Sequence, residues 1–513
     1  MAEKPGHIER ELHTENSRIA LSGKIRQWFW DEKLNNLPGA LFLALLTGLL
    51  GWLTIENGAV AGILIIAACV AIPVVYAIVA YPRFGIALLI GIVYLLFYIM
   101  RIGIDFPLGT LVDGMLALLV LGFFVSQKKR PDWAIYRNPV SIMILAWLLY
   151  NLLQAANPWA ESRMAWLYTV RTTGTIVLIY FIFLYQVDSF RYLRFLIGYW
   201  LVLALTGALY AYRQEYFGFA GVEFENMAAD PLMTSLLFID GHWRKYSVFS
   251  DPVAFSYNMV MAFFICLSLL TARGPVFRKI MWLIVALLCI TSMLFAGTRG
   301  AYVLIPAGLV LFILLRFQTK LIPFVIAAVF VLGVLIFIPT SNPTLYRFQT
   351  AFKPSIDASY NVRAENQKRI QPYIQSHPFG GGLGATGAWG VRFAPHSYLA
   401  SFPPDSGFMR TAAELGWVGL ILQCLMIFLI LKTGIDNYYR IRNSRLKAYC
   451  LAMTLVVFVL CVGNFPQEAF VQFPANILFY LAAAIIQVTY RLDHRPDLTG
   501  KHFTDNSKPL QND

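Results

Sequence analysis

Charge is scarce in this sequence. Asp, Glu, Lys and Arg make up 13% of its 513 residues, against about 25% in a typical soluble protein, which excludes an ordinary soluble enzyme. Cysteine is scarce as well. All six (Cys69, Cys266, Cys289, Cys424, Cys450, Cys461) fall inside apolar runs, so neither a disulfide framework nor a CxxC metal site is expected. No Asp-x-Asp pair occurs, and the histidines and carboxylates show no ligand spacing, so no metal and no cofactor is expected. Internal repeats and low-complexity tracts are absent. The first 36 residues hold no apolar core before a small-residue cleavage site, so no cleavable signal peptide is expected.

Apolar residues are abundant, at 58%, and they arrive in blocks of about 20, the length a helix needs to cross the ~30 Å hydrocarbon core. The fold class is therefore an all-α polytopic membrane protein. Spans are predicted over 37–55, 58–80, 84–100, 107–126, 139–155, 165–185, 195–212, 254–272, 280–297, 301–315, 321–340, 408–431, 448–464 and 470–490. That makes fourteen, or twelve to thirteen if the connections at Glu56-Asn57 and Gly297–Gly300 are breaks inside re-entrant segments. The organisation is an N-terminal segment (1–36), eleven helices (37–340) with an outer loop near 213–253, a large loop (341–407), three last helices (408–490) and a polar tail (491–513).

The formal charge is +13. With the N-terminus inside, the inner segments carry 27 Lys and Arg and the outer segments 12, as the positive-inside rule requires. Both termini are then cytoplasmic. The basic excess is a topology signal and gives no reason to invoke nucleic acid. Cytoplasmic connections are short and the two long loops fall outside, so chemistry is sought on the outer face.

The large loop is the informative stretch. Residues 357–376 show helical spacing at Val362, Ile370, Tyr373 and Ile374, which predicts an amphipathic helix that holds Arg363, Lys368 and Arg369 near the outer mouth. The glycine cluster from Pro378 to Gly387 lacks the Gly-Lys-Ser/Thr ending of a phosphate loop, so tight turning is its expected purpose. Arg299 sits between two spans at the outer face, as either an interfacial anchor or a bidentate phosphate ligand. Arg171 and Asp113 lie deeper and either pair with each other or serve function directly. Asp405 precedes a span as either a helix N-cap or a general base. Arg410 and Glu414 follow at i, i+4 spacing, which often means a salt bridge. His396 and His377 are the histidines of the large loop, and His396 is a second candidate base. Outer-loop aromatics (Tyr360, Tyr373, Trp389, Phe393, Tyr398) suit sugar faces or a membrane interface.

These pieces together resemble the O-antigen ligase and polymerase superfamily of bacterial envelope glycosyltransferases. The resemblance rests on Arg244 with Phe249-Ser-Asp-Pro252, on Thr298-Arg-Gly-Ala301, on Arg363 followed by the turn Pro378 to Gly384, and on Asp405 nine positions before Glu414-Leu-Gly-Trp-Val-Gly419. It covers about 240 to 431. It implies a bacterial inner-membrane enzyme working at the periplasmic face. The donor would be a glycan on a polyprenyl diphosphate such as undecaprenyl diphosphate, and the acceptor lipid A core, another glycan or a protein. Many ligases carry histidine where this chain has Asp405, which leaves open both the base and the choice between ligase and polymerase. Arg244, Arg299 and Arg363 suit a diphosphate; Arg171, Arg410 and Glu414 join them as expected substrate contacts. The rival from another class is a flippase of lipid-linked sugars, which calls for two related halves.

Overall fold

The computed structural model describes residues 37–101, 108–239, 241–316, 333–334, 336–340, 343–352 and 358–494. The chain divides into two compact units between Ala77 and Ile78. In the first unit the described chain is helical: α1 (Leu37–Ala80) leaves helical geometry at Gly58, so the expected connection at Glu56-Asn57 is a break within one helix.

The second unit is built from α2 (Pro82–Arg101), α3 (Leu108–Lys129), α4 (Pro139–Leu153), α5 (Arg163–Gln186) and α6 (Phe190–Phe217). Two short helices follow, α7 (Gly221–Ala229) and α8 (Pro231–Leu237), then the hairpin β1 (Phe238–Ile239) and β2 (His242–Trp243). After these come α9 (Pro252–Leu270), α10 (Val276–Phe295), α11 (Arg299–Leu315) and α12 (Pro343–Thr350). The chain continues through α13 (Ala358–Ser376), α14 (Gly387–Phe393), α15 (Gly407–Arg440), α16 (Ser444–Gly463) and α17 (Ala475–His494). The described residues are all-α apart from the hairpin. Among the described residues, ten helices are long and apolar enough to cross a membrane, where fourteen spans were expected. The expected span at 301–315 is the shorter helix α11, of 17 residues, and that at 321–340 lies largely outside the described residues, as do 1–36 and the tail from 495.

Helix starts follow cap chemistry. Asn138, Ser162, Ser189, Asp251, Ser406 and Asn443 each accept an amide hydrogen bond in the first turn that follows, satisfying donors that a bare terminus leaves open. Burial then ranks the helices. In the most apolar windows of α9, α16 and α17, 78% of residues are buried, against 28% in α10, so the first three form the centre and α10 presents most of its surface outward. At one end of this unit the starts of α5, α9, α11, α15 and α17 meet the ends of α4, α6, α10 and α16. We call it the loop-bearing end.

Two segments cover that end. In the first, from Gly218 to Asp251, Arg101 Nη2 donates to the carbonyls of Ser247 at 2.9 Å and Phe249 at 2.7 Å. Glu223, buried, pairs with Arg101 at 3.4 Å, and Met227, Leu237 and Tyr246 form a small core beneath. In the second, α13 buries Ile370 and Ile374 against Leu399, Phe402, Ala412 and Ala413. Val362 was expected on this apolar stripe and is exposed instead, about two turns before the stretch that packs.

Candidate functional site

The start of α15 is held by a backbone clasp. The helix breaks at Gly416, where φ is 67°, a value that only glycine adopts without cost. The break withdraws the helical donors from the carbonyls of the preceding turn. Those carbonyls are taken up by others: Gly381 N donates to Ala413 O at 2.9 Å, Gly382 N to Glu414 O at 2.9 Å, and the Tyr150 hydroxyl to Leu415 O at 2.6 Å. A Cβ on Gly416 would overlap the Pro378 carbonyl, and one on Gly380 (φ 72°) the Glu414 carbonyl. Asn157 secures the other side of the clasp, donating to Phe379 O and Gly380 O at 3.1 Å each. The glycine run is thus a close-packed clasp whose amides are turned onto protein carbonyls and a carboxylate, which is inconsistent with a phosphate cradle.

Glu414 completes the clasp. Its buried carboxylate accepts from Gly384 N at 3.0 Å, Thr386 N at 3.2 Å, the Thr386 hydroxyl and Arg410 Nε at 3.1 Å. Its four donors, where the sequence pointed to a substrate contact, make this carboxylate the pin between the loop and the helix. Arg410 is likewise occupied, since its Nη1 donates to Glu468 at 2.7 Å. The i, i+4 bridge is present, and a carboxylate from the α16–α17 connection extends it.

Asp405 stands immediately outside this network. The N-cap of α15 is Ser406, whose hydroxyl accepts from Met409 N, so Asp405 is relieved of the capping task. Its carboxylate, half-buried, accepts from Asn366 Nδ2 of α13 at 2.9 Å. Two residues on, Gly407 N donates to Asn464 O at 2.9 Å and Gln467 O at 3.2 Å, which draws the α16–α17 connection, and Glu468 with it, alongside Asp405. Burial pushes the Glu468 carboxyl above the usual glutamate range; Glu414 and Asp405 push it the same way, and Arg410 opposes them.

Helical spacing sets Arg363 on the face of α13 that carries Asn366 and Ile370. Arg363 is half-buried and close enough to act electrostatically on the Tyr257 phenol of α9. Tyr257 donates to Gly463 O at 3.1 Å, and a Cβ on Gly300 would stand 3.1 Å from its hydroxyl and 3.5 Å from Pro466. The first turn of α11, opened by the half-buried Arg299, therefore packs against both Tyr257 and the connection that carries Glu468. Arg363 thus acts on Tyr257 and Asp405 on Glu468, and Gly300, next to Arg299, packs on both Tyr257 and Pro466.

The remaining candidates lie elsewhere or serve otherwise. Arg244, expected as a diphosphate ligand, donates through Nε to Ala296 O at 2.9 Å, through Nη1 to Leu236 O at 3.2 Å and through Nη2 to Thr298 Oγ1 at 3.1 Å. The Thr298 hydroxyl in turn donates to Pro252 O at 3.1 Å. Arg244 thus braces the turn that presents Arg299. Arg171 pairs with Asp113 at 2.8 Å and lies over the Tyr168 ring, which realises the pairing alternative. His396 is exposed in the turn before the buried Ser397; among the described residues no hydrogen bond or ion pair joins it to Asp405. His377 stacks on Tyr373 at 4.0 Å. Among the described residues no group of three His, Cys, Asp or Glu is arranged for a metal ion.

This arrangement coincides with a family signature. Residues 284–424 match the model of the O-antigen ligase family. The family region runs from α10 into α15 and includes Arg299, Arg363, His396, Asp405, Arg410 and Glu414; it leaves out Arg171, Arg244 and Glu468. No curated protein matches the chain. Sequence reasoning missed Glu468, Asn366 and Ser406. The signal for Glu468 was the Asn464-Phe-Pro-Gln-Glu468 interruption between two apolar runs, and it read as no more than a connection.

Proposed function

We propose that the protein is a membrane glycosyltransferase that moves a glycan from a polyprenyl-diphosphate donor to a hydroxyl of an acceptor at the periplasmic face of the bacterial inner membrane. Both termini are then cytoplasmic and the loop-bearing end is periplasmic. The observation that carries this reading is the hydrogen bond from Asn366 to Asp405, which fastens the Arg363 helix across the start of α15 within the region that matches the O-antigen ligase family.

Asp405 takes the proton of the acceptor hydroxyl as its oxygen attacks the anomeric carbon. The bond from that carbon to the diphosphate oxygen breaks, its electron pair leaves with the polyprenyl diphosphate, and the configuration inverts. Arg363 and Arg299 carry the charge that develops on the leaving group, a role fixed cations perform without a metal. Transfer by purified protein in EDTA should match transfer without it; a loss restored by Mg²⁺ or Mn²⁺ would remove the metal-independent step.

A polymerase of the same superfamily is the second reading, favoured by aspartate in the position where many ligases carry histidine. Deleting the gene and analysing envelope glycans separates the two. Bare lipid A core beside a polymerised lipid-linked glycan supports a ligase, and a single repeat on the core supports a polymerase. Glycan trapped in the cytoplasmic leaflet would overturn both readings in favour of a flippase.

A further inference from the structure

Glu468 lies outside the family region and belongs to none of the sequence motifs, yet three constraints bring its carboxylate to the site. Arg410 holds one oxygen at 2.7 Å. The Gly407 amide ties the preceding residue, Gln467, to the start of α15. Pro466, two residues earlier, packs on Gly300 beside Arg299. The side chain keeps 19% of its surface exposed, so it borders open space. Among the described residues the charged groups that bear on it are Arg410 and Glu414 from α15 and Asp405 from the segment before that helix.

One cation is shared there between two carboxylates. Arg410 faces two carboxylates, and Glu414 is already saturated by three donors from the clasp besides Arg410. Glu468 thus shares its ion-pair partner with a second carboxylate and stands near Asp405. A glycosyl donor develops positive, oxocarbenium-like charge at the anomeric carbon as the leaving group departs, and a fixed negative charge in a water-poor mouth stabilises it without reorganising.

We propose that Glu468 is a positioning residue of the transfer site, held by Arg410 so that its negative charge faces the anomeric carbon while Asp405 accepts the proton. The inference rests on the glycosyltransferase reading and on Asp405 as base. It assigns a working role to the connection between the last two spans. No bond to Glu468 forms or breaks in the step.

The test compares Glu468→Gln and Asp405→Asn with the wild type in nanodiscs, using a synthetic lipid-linked glycan donor across a range of pH. Glu468→Gln keeps shape and hydrogen bonding and removes the charge. It should lower kcat about 10-fold or more near neutral pH, an effect of the size of a lost electrostatic contact, with donor KM unchanged and the protein still folded in the membrane. The Glu468 carboxyl takes up its proton at higher pH than an ordinary glutamate, so the wild type loses this charge as pH falls through that range. The ratio of wild-type to Glu468→Gln turnover should therefore shrink toward one on the acid side. Wild-type kcat for Glu468→Gln, or a deficit of the same size at every pH, beside an inactive Asp405→Asn, overturns the inference alone. An active Asp405→Asn overturns the base assignment beneath it.

Discussion

Arg244 and Arg363 both stand at the loop-bearing end and both follow from family-like motifs, but their surroundings differ. Arg244 belongs to a segment whose charges are consumed internally. It donates to two carbonyls and a threonine hydroxyl, while nearby Glu223 is buried beside Arg101. Lys245 is buried within 3.6 Å of Glu215, and burial holds its ammonium below the usual lysine range even with that partner. Arg363 belongs to a segment whose apolar residues pack and whose Asn366, one turn on, donates to Asp405. The contrast shows what a motif arginine can mean. A guanidinium closed onto carbonyls is a brace, whereas the other is the one the proposed function gives to the donor diphosphate.

The largest expected effect comes from cutting the clasp that supports the second segment. Glu414→Ala leaves the amides of Gly384 and Thr386 without their acceptor and Arg410 with one partner fewer. Breaking a buried charge network of this kind costs about 3–5 kcal/mol, so the variant should lose thermal stability and membrane abundance together; a stable, active variant would show that the clasp is dispensable. Next in size is Asp405→Ala, expected to lower turnover about 10²–10⁴-fold, the usual contribution of a general base, with stability kept. His396→Ala should leave turnover near wild type, and the reverse order of these two variants would move the base to His396. Arg244→Ala should act on stability and not on turnover. It should cost about 1–3 kcal/mol of stability through orphaned carbonyls, with donor KM unchanged once the protein is folded. A selective rise in donor KM would return Arg244 to the diphosphate site.

Much of the architecture was legible in the sequence because a membrane span is a property of one continuous segment. Long apolar runs bounded by charge and cap residues mark α2 to α6, α9, α10 and α15 to α17 with only local information. The extension of α15 to Arg440, past the expected end at 431, was not legible, because its last turns are polar and hydropathy measures the slab of lipid, not the helix. The break at Gly416 was hidden for a related reason: its freed carbonyls are satisfied by Gly381, Gly382 and Tyr150, which are remote in sequence.

The site was legible in its parts more than in its assignments. Asp405 and Ser406 are adjacent candidates for one cap, and sequence alone does not say which hydroxyl or carboxylate turns back onto the helix. Ser406 takes the cap, and Asp405 is left for Asn366. Arg410 and Glu414 could be paired from their spacing, whereas Glu468 becomes visible only when α16 and α17 are folded against α15. Arg171 and Asp113 sit on different helices, and their pairing stood as one of two alternatives until α3 and α5 were seen side by side.

The most direct test of the central claim follows both products of one reaction. Purified protein in nanodiscs receives a defined polyprenyl-diphosphate-linked glycan and an acceptor, and free polyprenyl diphosphate is measured alongside glycan on the acceptor. The expected result is release in step with transfer, with both abolished together by Asp405→Ala in protein of unchanged stability. Undiminished release and transfer by Asp405→Ala, or a donor that stays intact with wild-type protein under every acceptor supplied, would contradict the account.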